Sequence, residues 1–408
     1  MASPMRSYAM LLGLPFLLGS IACLALIVWD PLDLHPWGKP TALADRPYPM
    51  LVRPLLAPTM TRHGKDVVLV GTSTAIAISD AALRRLEAGT AGVDRTGVDR
   101  TGVDRTGVDR TSLDRAGLEK PVANLAVVMQ RVPDGTLLMR EAVQTPDLRR
   151  MVIEISHVWL YDAEPSSEPG QRLDRAYHPR WHDLPAFDRD IIRAGLAARD
   201  GKFWVADWDD QTAKFMPSTP VELQPSQLAD IRGALDAATP ADFPAGPTPS
   251  DCRPFDAIAT ALTDTLAIAR QRKIAVDVYF SPIPFASLPL LGNQQRGYFG
   301  AYGIDETFFA RLMAMHRCVV GLVAAQASPA MRVHAVDADP AIIDDLRGMR
   351  DPVHYSMAFK TDRIIDDIAG SRMVLTPENF EAYRQRLRQG VIAATANGVP
   401  PSQPPGTQ

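Results

Sequence analysis

Cysteine is scarce in this chain: only Cys23, Cys252 and Cys318 occur among its 408 residues. They form no C-x-x-C pair, which excludes a thioredoxin-like redox site and a zinc ribbon. Strong charge of either sign is also lacking, because 43 Lys and Arg stand against 47 Asp and Glu for a formal net charge of −4. Basic residues cluster no further than pairs such as Arg84-Arg85 and Arg149-Arg150, so no nucleic-acid partner is expected. Neither a Walker-type loop nor a G-x-G-x-x-G fingerprint occurs, so nucleotide phosphates have no cradle and no cofactor is expected. His178-x-x-x-His182 has the spacing of a metal pair, yet Pro179 breaks the helix that would present both rings, and no metal site is expected.

With 46% hydrophobic and 22% charged residues, the chain can build a sizeable core. Its apolar run "YAMLLGLPFLLGSIACLALIVW", Tyr8 to Trp29, is about long enough to cross a bilayer as a helix. Arg6 is the sole charged side chain before it, which by the positive-inside tendency puts the rest of the protein on the far side. Residues 1–30 are therefore expected to be a single-pass anchor in the inner (cytoplasmic) membrane, with the soluble domain periplasmic or extracytoplasmic. The stretch Ser20-Ile21-Ala22-Cys23 leaves a lipoprotein signal open as the alternative. Cys252 and Cys318 are free to pair in such an oxidising compartment if the fold brings them together. Residues 31–64 read as a Pro-rich tether.

From residue 65 to 390, short β-branched runs alternate with helical patterns. The expected strands are 66–71, 123–128, 150–155, 274–280 and 331–336, and the expected helices are 79–88, 134–144, 220–237, 254–272, 305–324, 361–369 and 377–389. Five strands spaced by helices predict an α/β fold with a five-stranded parallel sheet covered on both faces. Thr376 and Pro377 are the start signals of the last helix and Gly390 its stop. The tandem TGVDR repeat at 91–117 has neither a helical nor a strand period and reads as a low-complexity surface loop. A long insertion at 156–253 carries Trp159, Trp181, Trp204 and Trp208. These serve either to bury the insertion or, for Trp181, Trp204 and Trp208, to stack sugar rings. Residues 391–408 read as a disordered tail.

The first strand ends in Gly71-Thr72-Ser73-Thr74. In open parallel sheets, ligands gather at the carboxyl ends of the strands, so Ser73 is either a nucleophile or the cap of the following helix. Far downstream, Asp351-Pro-Val-His354 places an acid three residues before a histidine in a Pro-fixed turn. That spacing lets the carboxylate hold Nδ1 while Nε2 faces a serine. His157, His316 and His334 sit beside apolar residues and read as structural, and Asp337, Asp339, Asp344 and Asp345 read as a solvated acidic face.

Gly71-Thr72-Ser73, Asn124-Leu125-Ala126, Val152-Ile153-Glu154-Ile155, Ser281-Pro282 and Asp351-Pro-Val-His354-Tyr355-Ser356, in that order, resemble the SGNH (GDSL-like) hydrolase superfamily. The likeness is nearest to its membrane-anchored extracytoplasmic members associated with polysaccharide O-acylation. It implies a flavodoxin-like three-layer sandwich with a Ser73–His354–Asp351 triad that moves or removes an acyl group, by expectation acetyl, on an envelope or secreted polysaccharide. It further implies a membrane acyltransferase as partner if the protein is a transferase. Gly71, Asn124, Ser156 and His157 are the candidates for oxyanion or substrate contacts. The chain departs from the superfamily pattern in having Thr72 before the nucleophile, no second-block glycine, and "EISHVW" where the third-block Asn is usual. A catalytically silent scaffold or glycan-binding subunit of the same fold is the alternative expectation.

Overall fold

The computed structural model describes residues 17–18, 21, 57–58, 60–61, 64–78, 80–91, 122–127, 132–161, 223–301, 303–343, 346, 349, 351–355 and 361–397. The chain divides into two compact units, of which the larger comprises residues 64–168 and 215–408.

Six strands form the sheet of this larger unit: β1 (Val67–Val70), β2 (Val122–Asn124), β3 (Arg150–Ile155), β4 (Ala275–Phe280), β5 (Met331–His334) and β6 (Val374–Leu375). They lie in the order β2-β1-β3-β4-β5-β6. β1 to β5 pair in parallel, while β6 runs antiparallel to β5 through Val333–Leu375 and His334–Val374. The strand β1 reads VVLV and is buried along its length, as strands covered on both faces are.

This corrects the expected five-stranded parallel sheet to a six-stranded mixed one. The sixth strand is only two residues long, too short to leave an alternating pattern in the sequence. As to the expected transmembrane helix, no helix among the described residues is long and apolar enough to cross a membrane. The longest of them, with 18 residues, carries Glu381, Arg384, Arg386 and Arg388. Of the Tyr8–Trp29 run, only Leu17, Leu18 and Ile21 are among the described residues.

The helices are α1 (Asp80–Ala91), α2 (Val132–Ala142), α3 (Pro225–Ala237), α4 (Asp256–Arg272), α5 (Leu288–Ala301), α6 (Phe308–Ala324), α7 (Pro340–Ile343), α8 (Thr361–Ala369) and α9 (Phe380–Asn397). α1 packs with α8, while α2 packs with α4 and α4 with α6. The face of the sheet toward α1 carries Arg150, whose Nη1 donates to Leu86 O at 2.8 Å. Phe280 points to the other face and stacks on His316 of α6 at 3.6 Å between ring centroids. Three layers result.

On the α1 face the core holds charge. Asp277 is completely buried; His334 Nε2 approaches its Oδ1 at 2.8 Å, Arg332 Nη2 donates to the same oxygen at 3.0 Å, and Arg150 Nε lies 3.4 Å from Oδ2. Burial alone would raise the Asp277 pKa, but the hydrogen bond and charge of His334 and the two guanidinium charges hold it below its ordinary value. His334 thus has a structural partner.

The last helix differs from its expected bounds. It begins at Phe380 and runs on to Asn397, because the Asn379 side chain, not Thr376, organises the turn before it: Asn379 Oδ1 accepts from Thr376 N–H at 2.8 Å and Nδ2 donates to Val374 O at 2.9 Å. Gly390 does not stop the helix. A Cβ there would overlap the Phe285 ring, so the missing side chain lets α9 close onto the segment that follows β4. The TGVDR repeat, apart from its first residue, and residues 398–408 lie outside the described residues.

Cys252, before α4, is disulfide-bonded to Cys318 in α6, with a Cα–Cα distance of 5.2 Å across 66 residues of sequence. A bridge that closes a loop of this length typically stabilises by about 2 to 4 kcal/mol. Cys318→Ser, or reduction of the folded protein, is expected to lower the denaturation midpoint accordingly, as read by urea unfolding followed by circular dichroism.

Candidate active site

The segments following β1, β3, β4 and β5 meet at the carboxyl end of the sheet. After β1 the chain turns at Thr72-Ser73 and enters a short 3-10 turn, Ala75–Ala77, with Ala75 N–H donating to Thr72 O at 3.0 Å. Ser73 is half-buried, and its Oγ lies 2.7 Å from His354 Nε2. His354 Nδ1 is in turn 2.7 Å from Asp351 Oδ2. The carboxylate is acceptor-only, so Nδ1 carries the proton and Nε2 is left to accept from Ser73.

The loop builds this geometry locally. Asp351 Oδ1 accepts from the backbone N–H groups of Val353 and His354 at 3.0 and 2.9 Å, while Pro352 has no N–H to compete. One carboxylate oxygen therefore shapes the turn and the other orients the base. Burial opposes ionisation of Asp351, yet the His354 hydrogen bond and charge and the two backbone bonds keep its pKa below the ordinary value. The side chains of His354 and Asp351 are 24% and 25% exposed, so the pair opens to solvent.

The remaining sequence candidates are placed differently. Gly71 is there for space: a Cβ would sit 2.8 Å from Glu154 Oε2 and would overlap Ala75 Cβ. Asn124 Nδ2 donates to Ala75 O and Ile78 O at 3.0 and 2.8 Å, and its Oδ1 accepts from Ala126 N–H at 2.9 Å. Its amide braces the turn after Ser73 and is not turned to a reacting oxygen. Ser156 is fully buried, its Oγ accepting from Val158 N–H at 3.4 Å. His157 is also buried; burial, and then the charge of His354, pushes its pKa down to about 3, so it is neutral beside the His354 ring. Trp181, Trp204 and Trp208 lie outside the described residues, and Trp159 is buried.

The backbone donors around Ser73 are mostly engaged. Thr72 N–H goes to Glu154, Ala126 N–H to Asn124, and Val127 N–H to Gly71 O at 3.2 Å. Among the described residues, none accepts from the Ser73 N–H.

Sequence reasoning assigns no role to two features. Glu154, the penultimate residue of β3, is completely buried and hydrogen-bonded to Thr72, Thr74 and Ser281. Behind the His354 loop, Tyr383 Oη donates to Asp337 Oδ2 at 2.6 Å and lies 2.7 Å from His316 Nδ1. The reading of Asp337 and Asp339 as a solvated face is corrected, for both are buried. An alternating charge pattern cannot distinguish these two cases, but Tyr383 on a facing helix is the partner that makes burial tolerable. Compared with protein-family models, curated proteins and solved structures, the chain gives no match.

Burial raises the Asp337 pKa to about 8, only partly offset by the Tyr383 hydrogen bond. A carboxyl raised in this way stabilises the folded state below its unfolded pKa, near 4, and that contribution is lost as pH rises toward about 8. Asp337→Asn should therefore flatten the fall of stability between pH 5 and 8. Urea midpoints of the two proteins across that window are expected to diverge as pH increases.

Proposed function

We propose that this chain is an extracytoplasmic serine acyl-transfer protein of SGNH type. More particularly, we propose an acyl esterase or O-acyltransferase, acetyl by preference, that acts on an envelope or secreted polysaccharide. The observation that carries the reading is the unbroken hydrogen-bonded chain from Ser73 through His354 to Asp351 at the carboxyl rim of the sheet. The Cys252–Cys318 disulfide supports an oxidising compartment. The order of the short motifs supports the superfamily and, with it, the polysaccharide and a membrane acyltransferase partner.

In this mechanism Ser73 Oγ attacks the acyl carbonyl while its proton passes to His354 Nε2. The new Oγ–C bond forms, the bond from the carbonyl carbon to the leaving oxygen breaks, and His354 returns the proton to that oxygen. Water or a sugar hydroxyl then attacks the acyl-serine carbonyl and gives its proton to His354; the Oγ–C bond breaks, and His354 returns the proton to Ser73 Oγ. Asp351 holds the imidazole tautomer and stabilises its charged form. The Ser73 N–H donates to the oxyanion.

A second reading, a silent glycan-binding or scaffold subunit, is favoured by the other donors near Ser73: Thr72, Ala126, Val127 and the Asn124 amide are all committed within the protein.

The full chain incubated with p-nitrophenyl acetate separates the two. Acetylation of Ser73 by mass spectrometry and steady turnover are expected. Ser73→Ala should abolish the label, and His354→Ala should lower kcat by about a thousandfold or more. A folded protein that neither turns over nor becomes acetylated would leave only the silent reading.

A further inference from the structure

We propose that Glu154 is the positioning residue that aims Ser73, an inference that rests on the serine reading above. Its carboxylate is completely buried and gathers four hydrogen bonds from two other segments. Oε2 accepts from Thr72 N–H at 2.5 Å and from Thr72 Oγ1 at 2.9 Å. Oε1 accepts from Ser281 Oγ at 2.7 Å and from Thr74 Oγ1.

Thr72 and Thr74 flank the nucleophile, and both turn their hydroxyls inward to this one side chain. Ser73, between them, turns outward to His354. The turn cannot rotate about Ser73 without breaking contacts on both sides at once. The clamp is closed from below by Gly71, where a Cβ would meet Glu154 Oε2 at 2.8 Å, and from the side by Ser281, whose own N–H is fixed to Ile155 O at 3.0 Å.

All four donors are uncharged. A carboxylate buried among neutral donors is a weak device for stability, since an apolar side chain of the same volume commonly packs as well. What it supplies is direction. Two oxygens with fixed lone-pair geometry hold two residues of a turn that otherwise consists of small hydroxyl side chains.

The test uses the full chain, with kcat and KM for p-nitrophenyl acetate and the 15N shift of His354 Nε2 in histidine-labelled protein, assigned with His354→Ala. A displacement of reacting groups by about 1 Å costs on the order of 100-fold in rate. Glu154→Ala and Gly71→Ala, which disturb the clamp from opposite sides, are each expected to lower kcat by about that factor with KM changed less than about threefold. Both should move the Nε2 shift toward the value in Ser73→Ala. Glu154→Gln should retain kcat within about threefold, because its amide oxygen still accepts from Thr72 while its N–H groups donate to the Thr74 and Ser281 hydroxyls.

Wild-type kcat in folded Glu154→Ala, an unmoved nitrogen shift, a loss confined to KM, or equal losses in Glu154→Gln and Glu154→Ala would each overturn the proposal. Should Glu154→Ala not fold, Thr74→Val removes one donor alone and is expected to lower kcat by about tenfold with KM unchanged; an unchanged kcat there would also overturn it. If the wild type shows no turnover, the acyl-transfer reading falls, and the nitrogen shifts still decide whether Glu154 aims Ser73.

Discussion

Bonded only to neutral donors and closed off from water, the Glu154 carboxylate ties the turn after β1, the end of β3 and the residue after β4 into one unit. The rest of the carboxyl rim is arranged around it. Gly71 has to be glycine for the carboxylate to approach, and Asn124, at the end of β2, has to brace the 3-10 turn so that the approach has a fixed target. Ser281 reaches Oε1 because the β3–β4 ladder pairs Ile155 with Phe280. A slip of one residue in that ladder would turn Ser281 away and expose an apolar row to the charged layer.

The sheet divides its two faces between different kinds of cohesion. Toward α1 it presents Arg150, Arg332 and His334 gathered around the buried Asp277 carboxylate. Toward α6 it presents Phe280 stacked on His316, backed by Tyr383 and Phe380. The disulfide joins the elements on this second side, where dispersion and burial dominate. The His354 loop returns between the two, and an isolated antiparallel bridge from Met349 to Tyr355 closes its base. His354 is thus carried on a short loop with both ends fixed, and the shape of its turn comes from a single aspartate.

Strands β1, β3 and β4 are legible in the sequence because each is rich in β-branched or aromatic residues, and the shorter β2 and β5 because each lies within a longer apolar run. Ser73 and Asp351-x-x-His354 are legible because position at a strand end and a three-residue spacing are local properties. The edge strand β6 is not: two residues have no period, and its pairing depends on the turn with positive φ at Ser371 and Met373. Helix α5 escapes notice because "LPLLGNQQRGYFGA" carries three glycines and a proline, residues that lower helix propensity until packing against α3 and α6 overrides it. Gly390 reads as a stop because a glycine that ends a helix and one that admits a neighbouring ring look alike in one dimension. Glu154 and Asp337 are opaque for one shared reason. Their meaning lies in which hydroxyls and rings surround them, and those come from segments far away in the chain.

The separation of 281 residues between Ser73 and His354 has a consequence for biosynthesis. A polypeptide emerges from the ribosome amino end first, so Ser73 exists for most of synthesis without His354, and β1 lacks its β3 neighbour and Glu154 until the third strand has emerged. The strands β3 to β5 between Ser73 and His354 must be in place before the Asp351 loop can dock. Any product truncated upstream of that loop carries Ser73 without its hydrogen-bond partner His354. The hydrogen-bonded line from Ser73 to Asp351 is in this way confined to molecules whose sheet is complete through β5.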